Sequence, residues 1–177
     1  MELVGVMAEI ASRQLLLRQY AKAKESYEKA SSLWLANANL SKKQRQLGTA
    51  IIYHQLGVVA QEQRQWAEAE RYYQQALAIY IEFQDRYEQA STYHQLGMVA
   101  EEQQRWAESR DYFFRAFSTY KEFQDQHNLS IVQRSLARLW RASGDDTLPA
   151  AIATLWDAPE EEVRKLLEQL VDDSASE

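Results

Sequence analysis

The chain has no cysteine. Disulfides, thiolate metal ligands and cysteine nucleophiles are therefore excluded, and the composition suits a reducing compartment. Proline occurs twice and glycine five times in 177 residues, too few for the many turns of an all-β chain. No apolar run reaches the roughly 18 residues that a membrane-spanning helix needs. The start, MELVGVMAEIASRQ, has an acidic residue and no basic n-region, so it reads as mature structure rather than a signal peptide. Basic charge is also short. Twenty Lys and Arg face 26 Asp and Glu, for a net charge of −6. This balance does not suit a nucleic-acid binder, whose affinity comes from neutralising phosphates. A cytoplasmic location is expected, with neither nucleic acid nor membrane as a partner.

Catalytic signatures are missing as well. No Gly-rich phosphate loop, HExxH or nucleophile-elbow pattern occurs, so neither enzyme activity nor a cofactor is expected. His54 and His94 are matching positions in adjacent repeats and invite a metal reading. A stable site wants three or four ligands with outer-sphere support, and duplication of a repeat accounts for two matching histidines. No metal is expected.

What the chain does have is helix formers and repetition. It is 46% hydrophobic and 26% charged, and Ala, Gln, Glu, Leu and Arg dominate, all favourable in helices. The segment Tyr53–Asp85 returns forty residues later as Tyr93–Asp125, with nineteen of thirty-three positions identical. A fixed period of this length marks a stacked array.

Taken in order, residues 2–17 carry Leu3, Val4, Met7, Ala8, Ile10 and Ala11 on a helical stripe. No strong N-cap precedes them, and apolar Leu3, Val4 and Val6 open the chain where a terminal repeat normally turns a polar face outward. Residues 20–36 form a second amphipathic helix. The next link is longer, so the first repeat is offset from the second by 46 residues. In the central repeats helix A is expected to run to about Arg64 or Gln104. Helix B is expected from Trp66 or Trp106 to Gln84 or Gln124, after a tight turn at Gln65 or Arg105. Asp85 and Asp125 are candidate N-caps. The repeat then decays into Asn128–Ser143, a short helix Thr147–Trp156 with Pro149 in its first turn, and a helix Pro159–Val171 capped by Asp157. One domain is expected over residues 1–172. Its repeats lie near 2–38, 45–84, 85–124 and 125–156, with a capping helix at 158–172 and a disordered tail at 173–177.

The second repeat places Tyr53, Leu56, Gly57, Ala60, Ala69, Tyr73 and Ala76 at the spacing of the tetratricopeptide repeat (TPR) family, which it resembles. The third places Tyr93, Leu96, Gly97, Ala100, Ser109, Phe113 and Ala116 there. The first fits more loosely through Met7, Ile10, Ala11, Gln14, Ala23, Tyr27 and Ala30, and the fourth keeps Leu136, Ala137 and Trp140. The forty-residue period resembles the long-helix subclass of kinesin light chains and multidomain bacterial signalling proteins. The resemblance implies an all-α, right-handed superhelical array of antiparallel helix pairs, a TPR solenoid with C-terminal capping helices. The small residues have a physical reason: Gly57, Ala69 and Ala76 let helix backbones approach where they cross.

The resemblance also implies a partner site on the concave face of the A helices. It consists of His54, Gln55, Val58, Gln61 and Glu62 in the second repeat. His94, Gln95, Met98 and Glu101 follow in the third, with Arg134, Arg138 and Arg141 in the fourth. The three arginines recur at i, i+4, i+7 and share one helix face. They suit the acidic end of an extended peptide or helix, or else form a solvated face paired with Glu101 and Glu102. The family's carboxylate clamp for chaperone tails is absent, because Ala8, Ser12, Gln55, Ser91 and Gln95 occupy its positions. Two functions follow. One is a protein or peptide interaction module, as the sensing or docking part of a larger bacterial signalling assembly. The other is homo-oligomerisation, a homodimer packed through the uncapped N-terminal helices.

Overall fold

The computed structural model describes residues 2–174, with side chains over residues 5–172. Its elements are all helices: α1 (Glu2–Leu16), α2 (Tyr20–Ala36), α3 (Lys42–Glu62), α4 (Trp66–Glu82), α5 (Arg86–Glu102), α6 (Trp106–Glu122), α7 (Gln126–Ser143), α8 (Leu148–Trp156) and α9 (Glu160–Ser174). No strand occurs among the described residues. Contacts divide the chain into two units, residues 1–92 and 93–177, which part within α5. Helix α9 continues to Ser174, past residue 173 where the tail is expected to begin. Residues 175–177 lie outside the described residues.

The helices stop two residues earlier than the periodicity suggests, at Glu62, Glu82, Glu102 and Glu122. The break does not lie at Gln65 or Arg105 but one residue earlier. Arg64 and Gln104 adopt left-handed φ values of 55° and 58°. The Gln65 N–H then donates to the Ala60 carbonyl at 2.9 Å and the Arg64 N–H to that of Gln61 at 2.8 Å. This double bond is a Schellman close. The same pair recurs with Arg18, Gln84 and Gln124 at the left-handed position. Five helix ends are thus closed in the conformation that favours glycine, and none uses one.

Helix starts are mixed. Ser41 and Gln44 form a reciprocal capping box on α3, which satisfies two backbone donors. Asp85 accepts from the Glu88 N–H at 3.3 Å, and Asp125 from the Asn128 N–H at 3.0 Å, as the sequence suggests. Asp157 departs from expectation. It closes α8 in a left-handed conformation, with φ 57°. The 46-residue offset comes from two extra residues in the link 37–41 and four in α3, which spans 21 residues against 17 for α5.

In the first unit α1 to α4 share a core of Ala11, Ala23, Tyr27, Ala30, Ile52, Leu56, Val59 and Tyr72. Burying each large side chain contributes about 1.5–3 kcal/mol. Glycine sets the closest approach. A Cβ on Gly57 would stand 2.5 Å from the Tyr73 ring, and one on Gly97 2.5 Å from the Phe113 ring. In the second unit Leu96, Val99, Phe113, Leu136, Leu139, Ile152 and Leu167 are fully buried. Trp156 at the end of α8 stacks on Phe117, with centroids 5.6 Å apart. The Lys121 ammonium donates to the Leu155 and Trp156 carbonyls at 3.5 and 3.3 Å, where a cation complements the helix C-terminus.

Candidate partner-binding faces

The residues expected to meet a partner divide between the two units. In the first, α3 carries His54, Gln55, Val58, Gln61 and Glu62. His54 is buried, only 9% exposed. Its Nδ1 lies 3.1 Å from the Thr92 hydroxyl, which itself donates to the Glu88 carbonyl at 2.9 Å. The hydroxyl hydrogen being used, Nδ1–H is the donor. Its edge packs on Tyr73 at 5.3 Å. Burial lowers its pKa from 6.5 to about 4, because desolvation penalises the charged form.

The other α3 residues stand closer to solvent. Val58, Gln55 and Gln61 are half-buried and Glu62 is exposed. The Tyr73 hydroxyl reaches from α4 and donates to Gln61 Oε1 at 2.8 Å. The Tyr27 hydroxyl approaches Gln55 Oε1 at 3.4 Å and the Ser12 hydroxyl at 2.9 Å. The Tyr20 hydroxyl lies 3.5 Å from Glu62 Oε2. Tyrosines of the B helices therefore orient the amides of the A-helix face. The sequence places Tyr27 and Tyr73 at repeat positions without suggesting this role, although a phenol hydroxyl needs a partner when buried.

The second unit brings α5 and α7 together. His94 Nε2 meets the Ser135 hydroxyl at 3.0 Å, and that hydroxyl donates to the Ile131 carbonyl at 3.2 Å. This ring likewise donates. It tilts against Phe113 at 5.5 Å. Burial first, and then the Arg138 charge, lower its pKa to about 4.

Arg138 is committed to its own fold. Nε and Nη2 donate to the two carboxylate oxygens of Glu101 at 2.8 and 2.7 Å, a parallel fork. The Glu101 side chain is only 10% exposed. Of the two readings of the arginine row, the paired one holds for Arg138. Arg134 and Arg141 are exposed, and neither takes part in an ion pair among the described residues. They stand seven residues apart on α7, about 10 Å along its axis. Gln95 and Met98 on α5 are half-buried.

Arg141 also borders an open cleft of about 490 Å³ that the sequence did not suggest. Its other walls are Trp140, Gly144, Asp146, Glu168, Val171 and Asp172. Among the described residues no group of three or more His, Asp or Glu lies close enough to hold a metal. No helix among them is long and apolar enough to cross a membrane.

The tetratricopeptide repeat family model matches residues 6–82 and, in a second placement, 48–122. The chain belongs to the tetratricopeptide repeat family. The matched span of this TPR chain ends with α6, so α7 to α9 lie beyond it. No curated protein matches the sequence. Among solved structures it is similar to BtubC (BKLC) from P. vanneervenii, with TM-score 0.71 and 21% identity over 94% of this chain and 65% of that one. It is similar to nearly identical TPR-like repeats of kinesin light chain type from Podosopora anserina, with TM-score 0.70 and 19% identity over 98% and 75%. A third is the Rap conjugation gene regulator of plasmid pLS20 in complex with the Phr* peptide, with TM-score 0.68 and 14% identity over 93% and 47%. At these identities the likeness is one of fold. The TPR chain thus spans 65% of the length of BtubC and 47% of that of Rap.

Proposed function

We propose that this TPR chain is a protein-interaction module whose α5–α7 face takes an acidic peptide or helix segment. The observation that carries the reading is the pair of exposed guanidinium groups at Arg134 and Arg141, neither in an ion pair among the described residues, flanking an Arg138 already satisfied by Glu101. Free arginines attract carboxylates by charge and bind them in a planar fork. Half-buried Gln95 and Met98 add an amide and an adaptable apolar contact. The fold of a peptide-bound regulator, Rap with Phr*, supports a peptide as the kind of partner. Residues Gln55, Val58, Gln61 and Glu62 of α3 are assigned to partner contact in the first unit. The two histidines belong to helix packing in this reading, because their rings are spent on neighbouring helices. A cytoplasmic signalling assembly is the proposed setting, with this chain as its docking part.

Selection of random extended peptides displayed on phage against the immobilised chain tests the proposal. Enrichment of Asp and Glu, abolished by Arg134→Glu with Arg141→Glu, is the expected outcome. Peptides without acidic bias, or a selection indifferent to both charge reversals, would overturn it.

A further inference from the structure

The first helix carries a stripe that the rest of the array keeps covered. In the second repeat Ile52, Leu56 and Val59 are 3, 3 and 1% exposed, and they share a core with Ala23, Tyr27 and Ala30 of α2. Their third-repeat counterparts, Thr92, Leu96 and Val99, are 0, 1 and 0% exposed. The first-repeat counterparts are Val6, Ile10 and Arg13. Val6 is 49% exposed and Ile10 41%. Leu17, one turn beyond Arg13, is 69% exposed. So α1 presents at its surface the positions that internal repeats bury against a neighbouring helix.

We infer that this stripe is the interface of a two-fold dimer, covered by α1 of a second copy. Charge selects that occupant. Arg13 stands where the second and third repeats have valine and the fourth leucine, and among the described residues its one ionic partner is Glu9 of the same helix, at 2.8 Å. A covering helix faced like α2, with alanines and tyrosine, would bury the Arg13–Glu9 pair and offer it no further charged partner. A second α1 running antiparallel supplies one. Val6, Ile10, Arg13 and Leu17 follow the 4-3-4 spacing of a helix–helix seam. Antiparallel pairing of that seam sets Val6 across from Leu17 of the second copy and Ile10 across from Arg13. Glu9 then falls within one residue of the second copy's Arg13, and two inter-copy pairs form at once. A head-to-tail contact onto α7 to α9 finds no apolar match, because those helices expose no large hydrophobic side chain among the described residues. One patch used twice closes the assembly.

Sedimentation equilibrium of the full chain tests the dimer from about 1 to 200 µM, the range over which a moderate self-association is read. The expected mass at the upper end is twice that of the chain. Ile10→Glu should yield a folded monomer whose thermal melt matches that of the wild type measured below the concentration at which it dimerises. Glu9→Arg and Arg13→Glu should each weaken self-association at least tenfold. An equimolar mixture of these two variants should recover the dimer, because each supplies the charge the other lacks. A wild-type monomer throughout, a dimer indifferent to Ile10→Glu, or a mixture that stays monomeric would each overturn the inference.

Discussion

The Tyr73 hydroxyl donates to Gln61 Oε1 at 2.8 Å, and the matching position one repeat later pairs differently. There Phe113 replaces Tyr73, and Glu101, in place of Gln61, takes both donors of Arg138. The two substitutions belong together. Without a phenol to satisfy the A-helix side chain, a guanidinium on the next helix does so. Removing it should be costly, since it strands a nearly buried carboxylate. Arg138→Met is expected to destabilise the chain by about 2–3 kcal/mol, whereas Arg138→Met with Glu101→Met should recover most of the loss. Urea unfolding of the single and double variants gives the coupling.

The five helix closures without glycine carry a second expectation. A non-glycine residue in the left-handed region costs roughly 1 kcal/mol. Arg64→Gly and Gln104→Gly should therefore each raise stability, by about 0.5–1 kcal/mol after the larger chain entropy of glycine is deducted. Both residues are exposed, so little packing is lost. Thermal melts of the two variants check this, and a fall in the melting temperature would contradict it.

The helix crossings give the opposite sign. Gly57→Ala and Gly97→Ala place a methyl 2.5 Å from the Tyr73 and Phe113 rings, which must move. A loss of about 1–3 kcal/mol is expected for each, measured by chemical denaturation. A neutral result would mean that the ring shifts freely.

The histidines make stability depend on pH. Both rings are held neutral in the fold and protonate near pH 4, against 6.5 for an unperturbed ring. Between those values the unfolded chain binds more protons. Stability should therefore fall as pH drops from 6.5 to 4, with no contribution from these rings above that window. The loss is up to about 3 kcal/mol for each ring. His54→Gln with His94→Gln should flatten this part of the profile in urea titrations at pH 7, 6, 5 and 4.5.

The fold was largely legible because its cause is periodic. The repeat of Tyr53–Asp85 in Tyr93–Asp125, the small residues at Gly57, Ala69 and Ala76, and the capping aspartates Asp85 and Asp125 each carry a local signal. The turns did not, since Arg64 and Gln104 are ordinary residues held left-handed by two backbone bonds. The face was legible by position alone. Register put His54 and His94 on it, but whether an imidazole meets water depends on Thr92 and Ser135, about forty residues away in sequence. The pairing of the arginine row with Glu101 was one of two readings open in the sequence, and only the fold shows that it applies to Arg138 and not to Arg134 or Arg141.

The central claim is that the free guanidinium pair of α7 holds an acidic segment. Fluorescence anisotropy tests it most directly, with a labelled glutamate-rich peptide and its glutamine-for-glutamate counterpart titrated at several salt concentrations. The account predicts that only the acidic peptide binds. Its affinity should fall steadily with salt, and Arg134→Glu with Arg141→Glu should weaken it at least about tenfold. Equal affinity for both peptides, or an acidic peptide bound as tightly by the charge-reversed chain, would contradict the account.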